Sequence, residues 1–180
     1  MQDNELLAEW VNDLARDIRG QIGELSHAQL YWQPDAEANS IGITVWHVAR
    51  GIDLLLARAL ENRPAEEEQW HTRGWREQTG YDPRGIGFEG WGVITGYTQE
   101  EVKAIPHLSA TELLTYLDQV CFATRDYLRA LTPDALHQNT PFFGGTRTRY
   151  RWVKGFLKGS LAHVGEIQAM IEMQKRLGKG

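Results

Sequence analysis

What this sequence of 180 residues lacks narrows it first. Cys121 is its only cysteine, which excludes an intramolecular disulfide and a cysteine-rich zinc site and fits a reducing compartment. Set inside a helical pattern, Cys121 reads as a small core residue. No apolar run approaches the roughly 18–20 residues that span a bilayer. The polar, acidic start Met1-Gln-Asp-Asn-Glu5 is not followed by an apolar signal segment. The expectation is a cytoplasmic protein with no membrane partner. Positive charge is not in excess: the formal net charge is −5 and no Lys/Arg cluster is interleaved with aromatics. Nucleic-acid binding driven by phosphate attraction is therefore not expected. The nucleophile elbow G-x-S-x-G is missing, and Cys121 has no histidine near it in sequence.

What is present is the balance of a globular chain, 42% hydrophobic and 24% charged, with seven tryptophans as large anchors for a core or a pocket. This length suits one domain over residues 1–180. Apolar residues recur at three- and four-residue steps in four long stretches, 3–24, 41–61, 109–131 and 149–176. Capping boxes begin helices at Ser26-His-Ala-Gln29, Thr98-Gln-Glu-Glu101 and Ser109-Ala-Thr-Glu112. Pro133 sits in the first turn of a further short helix, and Thr140-Pro141 with Gly144-Gly145 marks a loop. With no convincing alternating strands, the fold class is all-α, a four-helix bundle whose topology the connection lengths leave open.

The segment 64–97 differs from the rest. It carries seven glycines together with Trp70, Trp75, Tyr81, Trp91 and Tyr97. Aromatic density of this kind predicts a long, ordered, packed connection between the second and third long helices. Within it Gly85-Ile-Gly87-Phe-Glu-Gly90 matches the dinucleotide fingerprint as a string. Turn-like residues precede it rather than a strand, so it reads as a compact glycine-rich loop. The acids Glu66-Glu67-Glu68 and Glu100-Glu101 read as solvated charge beside helix starts.

Two histidines stand out. His47 and His163 are each mid-helix on an otherwise apolar face, and a buried imidazole needs a partner at each ring nitrogen. Gly51, one turn after His47, leaves space beside it. A shared metal ion is one partner for such a pair, since helical bundles build metal sites from inward-facing ligands. Two histidines fall short of the three protein ligands usual for zinc or nickel. The bland alternative is a pair of core histidines bonded to backbone or carboxylate groups. His27, His107 and His137 lie in polar contexts and read as surface residues.

The stretches Ser40-Ile-Gly-Ile-Thr-Val-Trp46-His47-Val-Ala-Arg50 and His163-Val-Gly165-Glu166-Ile167, with Leu25-Ser-His-Ala-Gln-Leu-Tyr31-Trp32, resemble the DinB-like (DinB/YfiT) superfamily over most of the chain. Gly74-Trp75 through Tyr97-Thr98 is similar to a subgroup with an enlarged middle connection. The resemblance implies a divalent metal, zinc or nickel, on three histidines, one from the second long helix and two from the fourth in an H-x-x-x-H pattern. His47 and His163 match the first and last ligands; the middle position is Gly159. Glu166 and His71 are alternative third ligands, and a water or ligand group is another.

The resemblance also implies thiol-dependent S-transferase or isomerase activity with a small bacterial thiol such as mycothiol or bacillithiol. In that reading Trp70, Trp75 and Trp91 wall the pocket around Gly51 and Gly159. Three functions follow: a small-molecule or residual metal-binding, stress-related module; a metal-dependent thiol transferase; or a structural homodimer. A homodimer is the expected assembly in each.

Overall fold

A computed structural model describes residues 2–178. The long helices are α1 (Asp3–Ile22), α3 (Ile41–Leu54), α7 (Ala110–Ala130) and α9 (Arg149–Arg176). Between them lie the short helices α2 (His27–Leu30), α4 (Gln69–Thr72), α5 (Trp75–Thr79), α6 (Gln99–Lys103) and α8 (Pro133–Leu136). α3 runs on as one wider-wound stretch over Leu55–Leu60. There the carbonyl of Leu60, released by the end of the helix, accepts the Tyr127 hydroxyl at 2.7 Å and Arg149 Nε at 3.2 Å.

Local chemistry starts most of these helices. Ser26, Thr98 and Ser109 each accept the backbone N–H three residues on, and Gln29, Glu101 and Glu112 reach back to the cap. Thr148 caps α9 by accepting the Arg151 N–H. Apolar spacing then dictates the burial. Leu7, Val11, Leu14, Ile18 and Ile22 of α1 are buried along one stripe, and Cys121 is buried with Leu113, Leu117 and Val120 of α7.

The long helices pack as a ring, α1 on α7 and α9, and α3 on the same two. The 64–97 connection therefore joins neighbours, α3 and α7. The shorter connections 23–40 and 131–148 join helices that scarcely touch. Asn4 pins the start of α1 to the end of α7 by donating to the carbonyls of Leu128 and Leu131.

Two expectations are corrected. The loop expected near Thr140–Gly145 is a β-hairpin: β1 (Asn139–Phe142) pairs antiparallel with β2 (Gly145–Thr148), with Phe142 opposite Gly145. The acid run at 66–68 is not uniformly solvated. Glu66 and Glu67 are exposed, but Glu68 is buried and accepts Arg50 Nη2 at 2.9 Å. The glycine loop is compact, closed by the Gly85 N–H on the Gly90 carbonyl at 3.0 Å. No helix among the described residues is long and apolar enough to cross a membrane.

Candidate functional site

Ser40 caps α3, and every residue of that helix except His47 is buried. His47 is thus where an otherwise enclosed helix meets open space. Across from it, α9 carries Gly155 and Gly159 one turn apart, and a Cβ at either would meet nothing within 4 Å. The bare helix face leaves a cavity of about 250 Å³. α3 lends it His47, Val48 and Gly51, and α9 lends Trp152, Phe156, Ser160 and His163. Val93 and Thr95 of the middle connection and Phe143 of the hairpin close it.

The imidazoles of His47 and His163 stand edge to face with ring centres 5.0 Å apart. Nδ1 of His47 is buried and has no hydrogen-bond partner among the described residues. Burial, reinforced by the neighbouring His163 and opposed by Glu166, pushes His47 down to about 4, so it is uncharged at neutral pH. His163 is half-buried, and its Nδ1 lies 2.7 Å from Oε2 of Glu166 one turn on. A carboxylate at Nδ1 favours a proton on that nitrogen, which in the neutral ring leaves the lone pair on Nε2. Glu166 itself is largely exposed and sits outside the imidazole pair.

The other expected site residues lie elsewhere. Trp70 is fully buried, edge-on to Trp46 and Tyr116 and stacked on Trp75, and its indole N–H donates to the Tyr81 carbonyl at 2.9 Å. Trp75 donates to Gln119 at 2.8 Å. Both are core residues rather than cavity walls, because their donors find partners inward and their rings fill the gap between α3 and α7. Trp91 packs on Phe142 and Phe143, one ring outside the cavity. His71 belongs to a buried charge cluster, with Nε2 4.0 Å from Glu68 and neither ring nitrogen hydrogen-bonded. It is not on the cavity wall.

Val93, Thr95, Phe143, Phe156 and Ser160 border the cavity without having been singled out as site residues. Phe156 and Ser160 precede His163 at helical spacing, which marks them on its face; Val93, Thr95 and Phe143 carry no such signal. The cluster of Arg50, Asp53, Glu68 and Tyr116 was equally hidden. Arg50 donates to Asp53, Glu68 and the Gly92 carbonyl, all within 3.3 Å. The Tyr116 hydroxyl donates to Asp53 at 2.8 Å. Cys121 is deep in the core, where burial pushes its thiol well above the ordinary range, so it is no nucleophile.

For a metal, the donor set is incomplete. Two imidazoles line the cavity with ring centres 5.0 Å apart, the third position is Gly159, and the Glu166 carboxylate is engaged at Nδ1 of His163. No group of three metal-ligating side chains is assembled among the described residues.

The chain matches the model of the DinB superfamily over residues 12–167 and belongs to that family. Its fold is similar to that of a crystal structure of a conserved protein from Enterococcus faecalis, with a TM-score of 0.77 and 19% identity over 94% of this chain and 95% of that one. Among curated proteins no match is found.

Proposed function

We propose that this member of the DinB superfamily binds a small molecule in the cavity between α3 and α9, with His47 and His163 as its polar contacts. The observation that carries this reading is the pair of imidazoles on the cavity wall, with ring centres 5.0 Å apart and His47 the one residue of α3 that is not buried. A ligand group that hydrogen-bonds an imidazole there gains a directed polar contact in a mostly apolar site. The cavity is mostly apolar with a few convergent polar groups, the make-up of a ligand site, and its volume suits a compact molecule. At neutral pH an uncharged His47 donates or accepts without demanding a counter-charge.

The pairing of His163 with Glu166 favours a second reading. A carboxylate behind a histidine is a common support for a metal ligand. Under it, a divalent cation held by His47 and His163 takes its remaining ligands from the bound molecule, a thiolate included, and the protein is the metal-dependent thiol transferase that its resemblance implies.

Protein purified without a nickel column separates the two. The first reading expects the ring resonances of His47 and His163 to shift on titration with neutral hydrogen-bonding fragments such as phenol, with no metal added. Unmoved rings at saturating fragment overturn it. Near-stoichiometric zinc or nickel, lost in His163→Ala, establishes the second. For assembly we propose a homodimer. Trp10 and Leu161, both exposed, border one surface depression between α1 and α9 that a second copy is suited to cover. Sizing at low micromolar concentration is expected to show no monomer, and a monomer there excludes it.

A further inference from the structure

Phe143 occupies a backbone conformation that its side chain opposes. It and Gly144 form the two-residue turn between β1 and β2, with φ of +51° and +68°. Turns of this kind favour asparagine, aspartate or glycine at the first position, and a bulky residue at positive φ is an outlier. Such strain persists only where surrounding contacts hold it, and it concentrates at functional sites. The contacts are present. The Phe143 ring stacks on Trp91 at 5.3 Å and on Phe88 at 5.9 Å, and meets Phe156 edge-on at 6.3 Å. The loop bearing Phe88 is braced in the same way: Glu89 also has positive φ, its carboxylate lies beside Gly144, and it accepts the Trp91 indole N–H at 3.1 Å.

The ring so held borders two spaces at once. Inward it lines the cavity that holds His47 and His163; outward it lines the groove formed with Trp91, Pro141 and Phe142. It is the partition between them. The cavity's remaining walls are apolar apart from the two imidazoles and the hydroxyls of Thr95 and Ser160, and no lysine, arginine or carboxylate is among its lining residues. An ion would find no counter-charge there. A flat ring would find Phe143 and Phe156 to pack on and an imidazole to receive a proton donor.

We propose, building on the small-molecule reading above, that Phe143 is the specificity-determining residue of this pocket. Its ligand is a compact, uncharged molecule that joins a flat apolar ring to one hydroxyl group. The ring packs against Phe143, and the hydroxyl hydrogen-bonds the His47–His163 pair. The strained turn is retained because it sets the Phe143 ring where the ligand's ring must lie.

Phenol, cyclohexanol and toluene test this as probes, with affinities measured by calorimetry and histidine-ring NMR on the wild-type chain, Phe143→Gly, Phe143→Asn and His163→Ala. Cyclohexanol keeps the hydroxyl without the flat ring, and toluene keeps the ring without the donor. Wild type is expected to prefer phenol to both. Phe143→Gly and Phe143→Asn suit the turn, so their melting temperatures are expected to stay within about 4 °C of wild type. Their phenol affinity is expected to fall about tenfold, with the preference over cyclohexanol erased.

If phenol binding is lost in His163→Ala but unchanged in both Phe143 variants, the role of Phe143 is overturned and the pocket reading stands. If both Phe143 variants melt far lower while keeping the phenol preference, Phe143 is a packing residue only. If no probe binds wild type at millimolar concentration, this inference and the small-molecule reading fall together.

Discussion

Asp53 accepts the backbone N–H of Trp70 at 2.9 Å through Oδ2, while Oδ1 takes the N–H of Gln69 at 2.7 Å. One carboxylate thereby caps the start of α4 from within α3 and fastens the middle connection to the helical body. Arg50 completes the joint by bridging Asp53, Glu68 and the Gly92 carbonyl. The same α3 turns that carry His47 therefore hold the connection whose Val93 and Thr95 close the cavity.

Asp53→Ala is expected to destabilise the protein by about 3–5 kcal/mol, because it leaves Arg50, two backbone N–H groups and the Tyr116 hydroxyl buried without their shared acceptor. Urea denaturation measures this. A loss below about 1 kcal/mol would mean the cluster does not act as a unit.

Stability is expected to depend on pH through His47. Burial holds it near 4 in the folded chain, against an ordinary value of 6.5. Between these values the unfolded chain binds more protons, so stability rises with pH there. The contribution is fully present above about 6.5 and is lost as pH falls toward 4, on the order of 3 kcal/mol in all. Burial lowers His71 as well, so the effect of His47 is read as a difference. Denaturation curves from pH 7.5 to 4.5 should be shallower in pH for His47→Gln than for wild type; parallel curves would refute the assignment.

Gly159→His should create a metal site. A side chain there meets open space on the cavity side of α9, one turn before His163. Added zinc is expected to raise the melting temperature of the variant more than that of wild type, by mass action on the folded state. No difference at excess zinc would show that the three imidazoles do not converge.

Two glycine-to-alanine changes should move in opposite directions. A Cβ at Gly42 would lie 2.6 Å from the ring of Tyr31, whose hydroxyl is anchored on the Leu108 carbonyl at 2.8 Å. Gly42→Ala is expected to cost about 1–3 kcal/mol through overpacking. Gly159→Ala meets nothing and should gain about 0.5–1 kcal/mol from helix propensity. Equilibrium denaturation of both variants checks the pair, and equal signs would contradict it.

The helix starts were legible because capping is local. Ser26, Thr98 and Ser109 carry both halves of their box within four residues, and each bond forms as the spacing implies. His47 and His163 were legible as a pair because helical periodicity puts each on an inner face. Trp70 and Trp75 show the limit. Their density signalled a packed segment, but an aromatic ring fits a core and a pocket wall equally well, and only the partners of their indole N–H groups distinguish the two. Glu68 shows the same limit for charge. Beside Glu66 and Glu67 it has no local mark, and its burial follows from Arg50, eighteen residues earlier in the chain.

The sequence by itself determined the long helices, their apolar faces, the family, and the glycine at the position where a third imidazole would stand. Each depends on interactions within a few residues or on residue identity alone. Only the tertiary structure decided that 64–97 joins neighbouring helices, that Arg50, Asp53 and Glu68 share one buried joint, and that Phe143 on a short hairpin meets His47 and His163 across a common cavity. Apart from Arg50 and Asp53, which are one helical turn apart, those relationships join residues distant in the chain. They are set by how the apolar faces close on one another and by the need of each buried polar atom for a partner.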